Sequence, residues 1–382
     1  MSTVETIAGL RLTCRNCGWS SPAAGLAWRC ERCAGVLDLA GFTPVMPSPA
    51  ELTQRTPTLW RYRESLPVSE PAGLSMGEGM TPLVPVPGRP ELALKADYLM
   101  PTGSFKDRGA VLLAALASHL RADAFVADSS GNAGTAIAAY AARLGIACDV
   151  YVPAATSAGK LAQLYAYGAS VHRVEGSRED TAAAAAQAAD QPGIFYASHV
   201  YNPVFLHGTK TYVFELWEQL GGRLPGTLVL PVGNGTLVLG CHLGSRELLA
   251  QGLIDRLPVI IAVQADACAP LARAMSEGRR QPAQISTGPT IAEGIAIARP
   301  ARGAQILAAV AETGGAIVTV TDDQVRAARA DLARSGLYVE PTSAVCWAAV
   351  LAGRVPAPGV PSTEPDVVVP LCGTGLKSGD HR

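Results

Sequence analysis

An excess of charge of either sign is the first thing this sequence lacks. Lys and Arg number 31 against 32 Asp and Glu, a net charge of -1 at pH 7. Nucleic acid and anionic membrane both draw on a basic surplus, so neither partner has an electrostatic footprint here. Long apolar runs are missing too. Stretches such as Pro258 to Val263 are far shorter than the ~20 residues that span a bilayer. Met1 to Thr13 show no cationic start followed by an apolar core, so no secretory signal is expected and the cytoplasm is the expected compartment. No period of repeat-protein length occurs. What remains is a chain of 382 residues, long enough for two α/β lobes and a small appendage.

The cysteines divide into two groups. Cys14-x-x-Cys17 and Cys30-x-x-Cys33 are separated by twelve residues, whereas Cys148, Cys241, Cys268, Cys346 and Cys372 stand singly. Each CxxC places two thiolates on one knuckle, and two knuckles make a tetrahedral four-cysteine zinc site. Gly18 and Gly35, just after the two units, favour the turns this needs. Four protein ligands leave no open position, so the zinc is expected to be structural. Free or redox thiols are the competing reading, and a disulfide framework does not suit a cytoplasmic chain.

The run Pro101-Thr102-Gly103-Ser104-Phe105-Lys106-Asp107-Arg108-Gly109 sets one lysine in a turn-forming segment directly ahead of a helical stretch, Ala110 to Leu120. A solvated surface lysine needs no such setting. A lysine that must attack a carbonyl does, because its amine has to be held at a fixed point and be deprotonated often enough to react. Two later segments repeat the pattern strand, polar turn, helix. Ser129-Ser130-Gly131-Asn132-Ala133-Gly134 follows the apolar run Ala124 to Ala127 and opens the Ala-rich stretch Thr135 to Leu144. Gly233-Asn234-Gly235-Thr236 follows Thr227 to Val232 and opens a helix from Leu237. Glycines let the backbone close around an anion, and free amides at a helix start favour negative charge. The second turn can therefore cradle a phosphate without a lysine.

Together these segments resemble the pyridoxal-phosphate enzymes of the tryptophan-synthase-β fold type (fold type II), and the wording of PTGSFKDRG is closest to threonine synthases. The resemblance extends to Gly77-Glu78-Gly79-Met80-Thr81-Pro82-Leu83, to Cys372-Gly373-Thr374-Gly375-Leu376-Lys377 after the strand Val367 to Leu371, and to the N-terminal ribbon. It implies that Lys106 carries pyridoxal 5'-phosphate and is the catalytic base. It implies that Asn132 bonds the ring oxygen and that Gly233, Asn234, Gly235, Thr236 and Leu237 hold the cofactor phosphate. Cys372 then faces the pyridine nitrogen, where a neutral thiol in place of a carboxylate suits elimination rather than transamination. Ser104, Ser129, Ser130, Gly131 and Ala133, with Lys160, form the implied substrate set.

The expected fold is two doubly wound parallel-sheet lobes plus a small zinc ribbon. Residues 1–42 form the ribbon, 43–95 with 211–382 the larger lobe, and 96–210 the smaller. The expected activity is that of a threonine synthase, a lyase turning O-phospho-L-homoserine and water into L-threonine and phosphate, in a homodimer. A serine/threonine dehydratase and a β-replacement synthase are the alternatives, and a zinc-ribbon binding protein without turnover is the distant one. Departures from the family sit near the expected site. They are Met100 before PTGS, the phosphate loop with its second glycine one place early, Cys372, and Thr374. Glu293 in Ala292-Glu293-Gly294-Ile295 leans toward dehydratases. A phosphorylated substrate needs a second anion site, for which Lys160, Arg108 and Lys210 are the basic candidates. His207 is a candidate acid or base, and Glu340-Pro341-Thr342-Ser343-Ala344 is read as framework.

Overall fold

The computed structural model describes residue 7, residues 9–356 and residues 364–377. The expectation about a secretory signal rests on residues 1–13, of which 1–6 and 8 lie outside the described residues. No helix among the described residues is long and apolar enough to cross a membrane. The chain divides into two compact units, Met1–Glu78 with Lys106–Thr209 and Gly79–Phe105 with Lys210–Arg382.

The N-terminal segment forms an antiparallel sheet in the order β2-β1-β3, from β1 (Arg11–Cys14), β2 (Ser20–Pro22) and β3 (Leu37–Ala40). Its two CxxC units close alike. The amides of Gly18 and Ala34 donate to the carbonyls of Cys14 and Cys30 at 3.0 and 2.8 Å. Both closing residues are left-handed, at φ 71 and 54. The second knuckle thus puts Ala34, rather than the expected Gly35, in the conformation that glycine adopts most readily.

The proline-rich stretch that follows is ordered. It contains α1 (Pro49–Thr53), capped by Ser48 and Glu51, and a 3-10 segment, Leu59–Ser65. Leu59 and Trp60 are buried in the core of the first unit. The Trp60 indole donates to Glu78 Oε1 at 2.8 Å, and the Tyr140 hydroxyl donates to Glu78 Oε2 at 3.0 Å. These long-range bonds place residues 43–78 in the first unit, which corrects the boundary expected from the sequence.

Strands β4 (Leu83–Val86) and β5 (Arg89–Lys95) pair antiparallel in the second unit. The chain then returns to the first unit for α2 (Lys106–His119), β6 (Ala124–Ala127), α3 (Asn132–Leu144), β7 (Ala147–Pro153), α4 (Ala158–Ala166), β8 (Ser170–Val174), α5 (Arg178–Ala189), β9 (Ile194–Tyr196) and α6 (Val204–Thr209). Its four strands form a parallel sheet in the order β8-β7-β6-β9. The alanine run 181–189 is ordered within α5, started by a capping box of Ser177 and Asp180.

The second unit continues with α7 (Thr211–Gln219), β10 (Thr227–Pro231), α8 (Thr236–Ala250), β11 (Val259–Ala265), α9 (Pro270–Ser276), α10 (Gly303–Glu312), β12 (Ala316–Val320), α11 (Asp322–Arg334), α12 (Pro341–Leu351) and β13 (Val367–Pro370). Its sheet runs β12-β11-β10-β13-β5-β4 and is parallel except at β4. The central strands are continuous apolar runs because they are buried on both faces, and Val367–Pro370 is buried throughout. Residues 96–105 also belong to this unit, not to the smaller lobe as expected. Tyr98 and Phe105 donate their amides to the carbonyls of Leu371 and Cys372 at 2.8 and 2.9 Å, and Ser104 bridges Gly373.

Candidate active site

Three neighbouring parallel strands of the second unit supply loops at their carboxyl ends. Leu228 of β10 registers with Val368 of β13, and Pro370 of β13 with Lys95 of β5. Loops at that edge of an open α/β sheet are where ligands bind. After β10 comes Gly233 to Gly235, then the start of α8. Gly235 is left-handed at φ 75 and no side chain caps the helix, which leaves its first amides to other acceptors. Gly233 has no room for a side chain, since a Cβ there would lie 2.8 Å from the Cα of Ile295 and 3.3 Å from the Gly294 carbonyl. The short turn Glu293–Ile295 thus packs directly on this loop and brings Glu293 to its rim.

After β13 comes Cys372, which is buried. The next residue, Gly373, is clamped by Ser343, whose hydroxyl accepts from the Gly373 amide at 2.7 Å and lies 3.1 Å from its carbonyl. The Glu340 carboxylate lies against the same glycine, where a Cβ would be 2.5 Å from Oε1. Glu340 to Ala344, read from the sequence as framework, thus hold the backbone of the glycine that follows Cys372. The spacing of three between Glu340 and Ser343 was the available signal, because it puts both on one side of the start of α12.

After β5 the chain leads to Ser104 and Phe105. The Ser104 hydroxyl is fully buried and has no hydrogen-bond partner among the described residues. A buried orphan hydroxyl costs about 1–3 kcal/mol, a cost that a bound group able to meet it would remove. Lys106 is the second residue along the chain from Ser104.

In the first unit Lys106 is the first residue of α2 and is half-buried, with Nζ 5.6 Å from the Phe205 ring centre. The turn at the end of β6 leads into α3, with Gly131 at the helix N-cap and no side-chain cap. Ser129, Ser130 and Asn132 are half-buried and Gly131 is exposed, so the turn is open to a ligand, whereas Ala133 is buried. Gly134 is obligatory, because a Cβ there would overlap the Ser129 carbonyl outright. Lys160 lies half-buried in the first turn of α4.

The other basic candidates are buried. Arg108 is fully buried in α2, and His207 is buried with its ring edge-on to Phe42 at 5.6 Å. Lys210 is fully buried against Glu247, with Nζ 2.7 Å from Oε2. Burial lowers the Lys210 pKa from 10.5 to about 8 against the opposing pull of Glu247. A lysine so depressed takes up a proton on unfolding between those values, so stability rises with pH across that window and the cost is fully present below it. Replacing both partners, Lys210→Met with Glu247→Gln, is expected to flatten this rise in urea titrations at pH 7.5 and 9.5. Parallel behaviour of the two proteins would refute the assignment.

The four ribbon thiols also converge. Sγ atoms of Cys14, Cys17, Cys30 and Cys33 all lie within 4.8 Å of one another. The pairs Cys14–Cys33 and Cys17–Cys30 are each 3.5 Å apart, near the ~3.8 Å edge of a zinc–sulfur tetrahedron. Crowding spreads their acidities. Against burial, amides of Cys33 and Arg32 and the neighbouring thiols bring Cys30 down to about 7. Against the Gly35 amide, the other three thiols and burial push Cys33 up to about 12. A dication satisfies all four at once.

The family model for "pyridoxal-phosphate dependent enzyme" matches residues 74–373. A threonine synthase of Methanosarcina acetivorans is 34% identical over 342 residues, covering 87% of this chain and 84% of the relative. One of Methanocaldococcus jannaschii is 33% identical, with 96% and 93% covered. Among solved structures, a T.th. threonine deaminase superposes with a TM-score of 0.65 at 26% identity, covering 86% of this chain and 98% of that one. The family match takes in residues of both units, including Lys106 and the glycine turns that open α3 and α8, and on it the chain belongs to the pyridoxal-phosphate-dependent enzyme family.

Proposed function

We propose that this protein is a pyridoxal-phosphate-dependent lyase of the threonine synthase type, acting on O-phospho-L-homoserine and water to give L-threonine and phosphate. The observation that carries this reading is the likeness to threonine synthases from archaea and mycobacteria, 33% to 37% identical over most of the chain. The residues suit the cofactor. A lysine opens a helix, Ser104 keeps an orphan hydroxyl two residues before that lysine, and a glycine loop precedes another, uncapped helix start. Lys106 would bond the cofactor aldehyde, and Asn132 would hold the ring oxygen. Gly233, Asn234, Gly235, Thr236 and Leu237 would take its phosphate, and Cys372 would face the ring nitrogen. When bound, the cofactor supplies an electron sink for charge developing at the substrate Cα.

The protein groups do the remaining work. The Lys106 amine takes the proton from the substrate Cα and returns protons later, as a general base in a fixed position. The Ser129 to Ala133 turn orients the substrate carboxylate through backbone amides at the start of α3. Of the basic candidates for the substrate phosphate, Lys160 remains, since Arg108 and Lys210 are fully buried and Lys210 pairs with Glu247. A dehydratase acting on threonine or serine is the second reading, favoured by Glu293 on the rim of the phosphate loop and by the likeness to a threonine deaminase.

Incubation with O-phosphohomoserine, threonine, serine and O-phosphoserine in parallel separates the two. Equal amounts of phosphate and threonine from the first are expected. Keto acid from threonine or serine, with O-phosphohomoserine untouched, would establish the second reading instead.

Cys14, Cys17, Cys30 and Cys33 are proposed to hold one structural zinc. Metal analysis is expected to give one zinc per chain, lost in Cys14→Ser with Cys17→Ser. Because a sheet of this size has little core of its own, stripping the metal is expected to expose the ribbon to protease first. Zinc unchanged by the double replacement would contradict the assignment.

A further inference from the structure

We propose that Trp28 of the ribbon is a positioning residue for the turn Ser129 to Asn132, acting through Tyr196 and Asp128; the proposal rests on the reading that this turn holds the substrate carboxylate. Trp28 is 8% exposed and belongs to a small core of its own with Val126, Ala185, Ala189 and Tyr196. Its ring stands edge-on to Tyr196 and Tyr201, with centroids 4.6 and 5.2 Å away. Its indole N–H donates to Asp190 Oδ1 at 3.2 Å, while Arg29 stacks over the ring at 4.4 Å and pairs with Asp190 Oδ2 at 2.8 Å. An indole held on so many sides has one orientation.

Strand alternation carries that orientation to the turn. Phe125 and Ala127 face the main core of the unit, and Val126 faces Trp28. Asp128 is two residues beyond Val126 and so continues on the ribbon side. Tyr196 registers with Val126 on the neighbouring strand, where the Ala197 amide donates to the Val126 carbonyl at 2.9 Å. There the Tyr196 hydroxyl hydrogen-bonds Asp128, and burial together with that carboxylate raises the phenol above its ordinary range. Asp128 is bonded directly to Ser129, whose carbonyl is pressed against Gly134. A shift of Tyr196 therefore reaches the turn through one hydrogen bond and one peptide unit.

Docking of the ribbon does not require the Tyr196 hydroxyl. Both edge contacts to Trp28 use rings alone, so Tyr196→Phe keeps the packing and removes only what the hydroxyl makes, its bonds to Asp128 and to Ser198. In full-length holoprotein this variant is expected to keep its zinc. Its Gly131 and Thr135 amides, which donate to Ser129 Oγ and the Gly131 carbonyl, should exchange hydrogen about tenfold faster, as loss of a bond to a charged group implies. KM for O-phosphohomoserine should rise by a similar factor, with kcat within about twofold. Trp28→Ala should give the same pattern, and Trp28→Phe should restore most of it. Unchanged exchange at Gly131 and Thr135 in Tyr196→Phe would overturn the proposal, leaving Trp28 as a docking residue only. If Trp28→Ala does not fold, Tyr196→Phe alone decides. Faster exchange without any turnover of O-phosphohomoserine would uphold the positioning role and sink the proposed substrate.

Discussion

Lys106→Ala is expected to reduce turnover by about 10⁴-fold, the upper range for a positioned acid–base group, and to remove the covalent anchor of the cofactor as well. Stability should hardly change. Lys106 is the first residue of α2 and half-buried, its ammonium 5.6 Å from the Phe205 ring, a contact worth about 0.5–1 kcal/mol at such a site. The loop after β10 remains intact, so the variant should still take up cofactor reversibly without the absorbance of a lysine-bound aldehyde. Visible spectra, turnover and thermal melting together check this. A variant that keeps its colour through dialysis and its activity would show that another amine does the work.

The largest stability effect is expected at Lys95. Its ammonium is wholly buried and satisfied three times, by Glu215 Oε2 at 2.7 Å, the Thr81 carbonyl at 2.5 Å and Gln219 Oε1 at 2.9 Å. Thr81 in turn donates to Asp97 Oδ1 at 2.6 Å. The network ties β5, and the segment beyond it that leads to Lys106, to α7 of the same unit. Lys95→Met removes one partner and leaves Glu215 charged and buried, which should cost about 3–5 kcal/mol. Replacing both, Lys95→Met with Glu215→Leu, should recover most of that, because two apolar groups of similar volume need no compensation. Urea unfolding of the three proteins measures it. Equal loss in the single and double variants would mean that the chain relies on packing here and not on charge.

The segments that could be read from sequence are those whose signal is local. The strands β6 and β10, with the glycine turns and helices that follow, were legible because apolar runs, turn residues and helix formers lie within about twenty residues. The two CxxC knuckles were legible for the same reason. Burial was not. Arg108 and Lys210 have the residue type of a phosphate site, and only the fold puts Lys210 against Glu247 on α8, 37 residues away. The proline-rich stretch from Gly41 to about Leu74 reads locally as a linker, and only the fold brings Trp60 and Tyr140 together on Glu78, whose partners are 18 and 62 residues distant. The clamp of Ser343 on Gly373 spans 30 residues and equally needs the sheet to bring its ends together.

The most direct measurement is to reduce the purified holoprotein with borohydride, digest it, and locate the pyridoxyl adduct by mass spectrometry. The account requires one adduct per chain, on the peptide containing Lys106, and none in Lys106→Ala. An adduct on Lys160 or Lys210, or no adduct from a protein that still turns over its substrate, would contradict it.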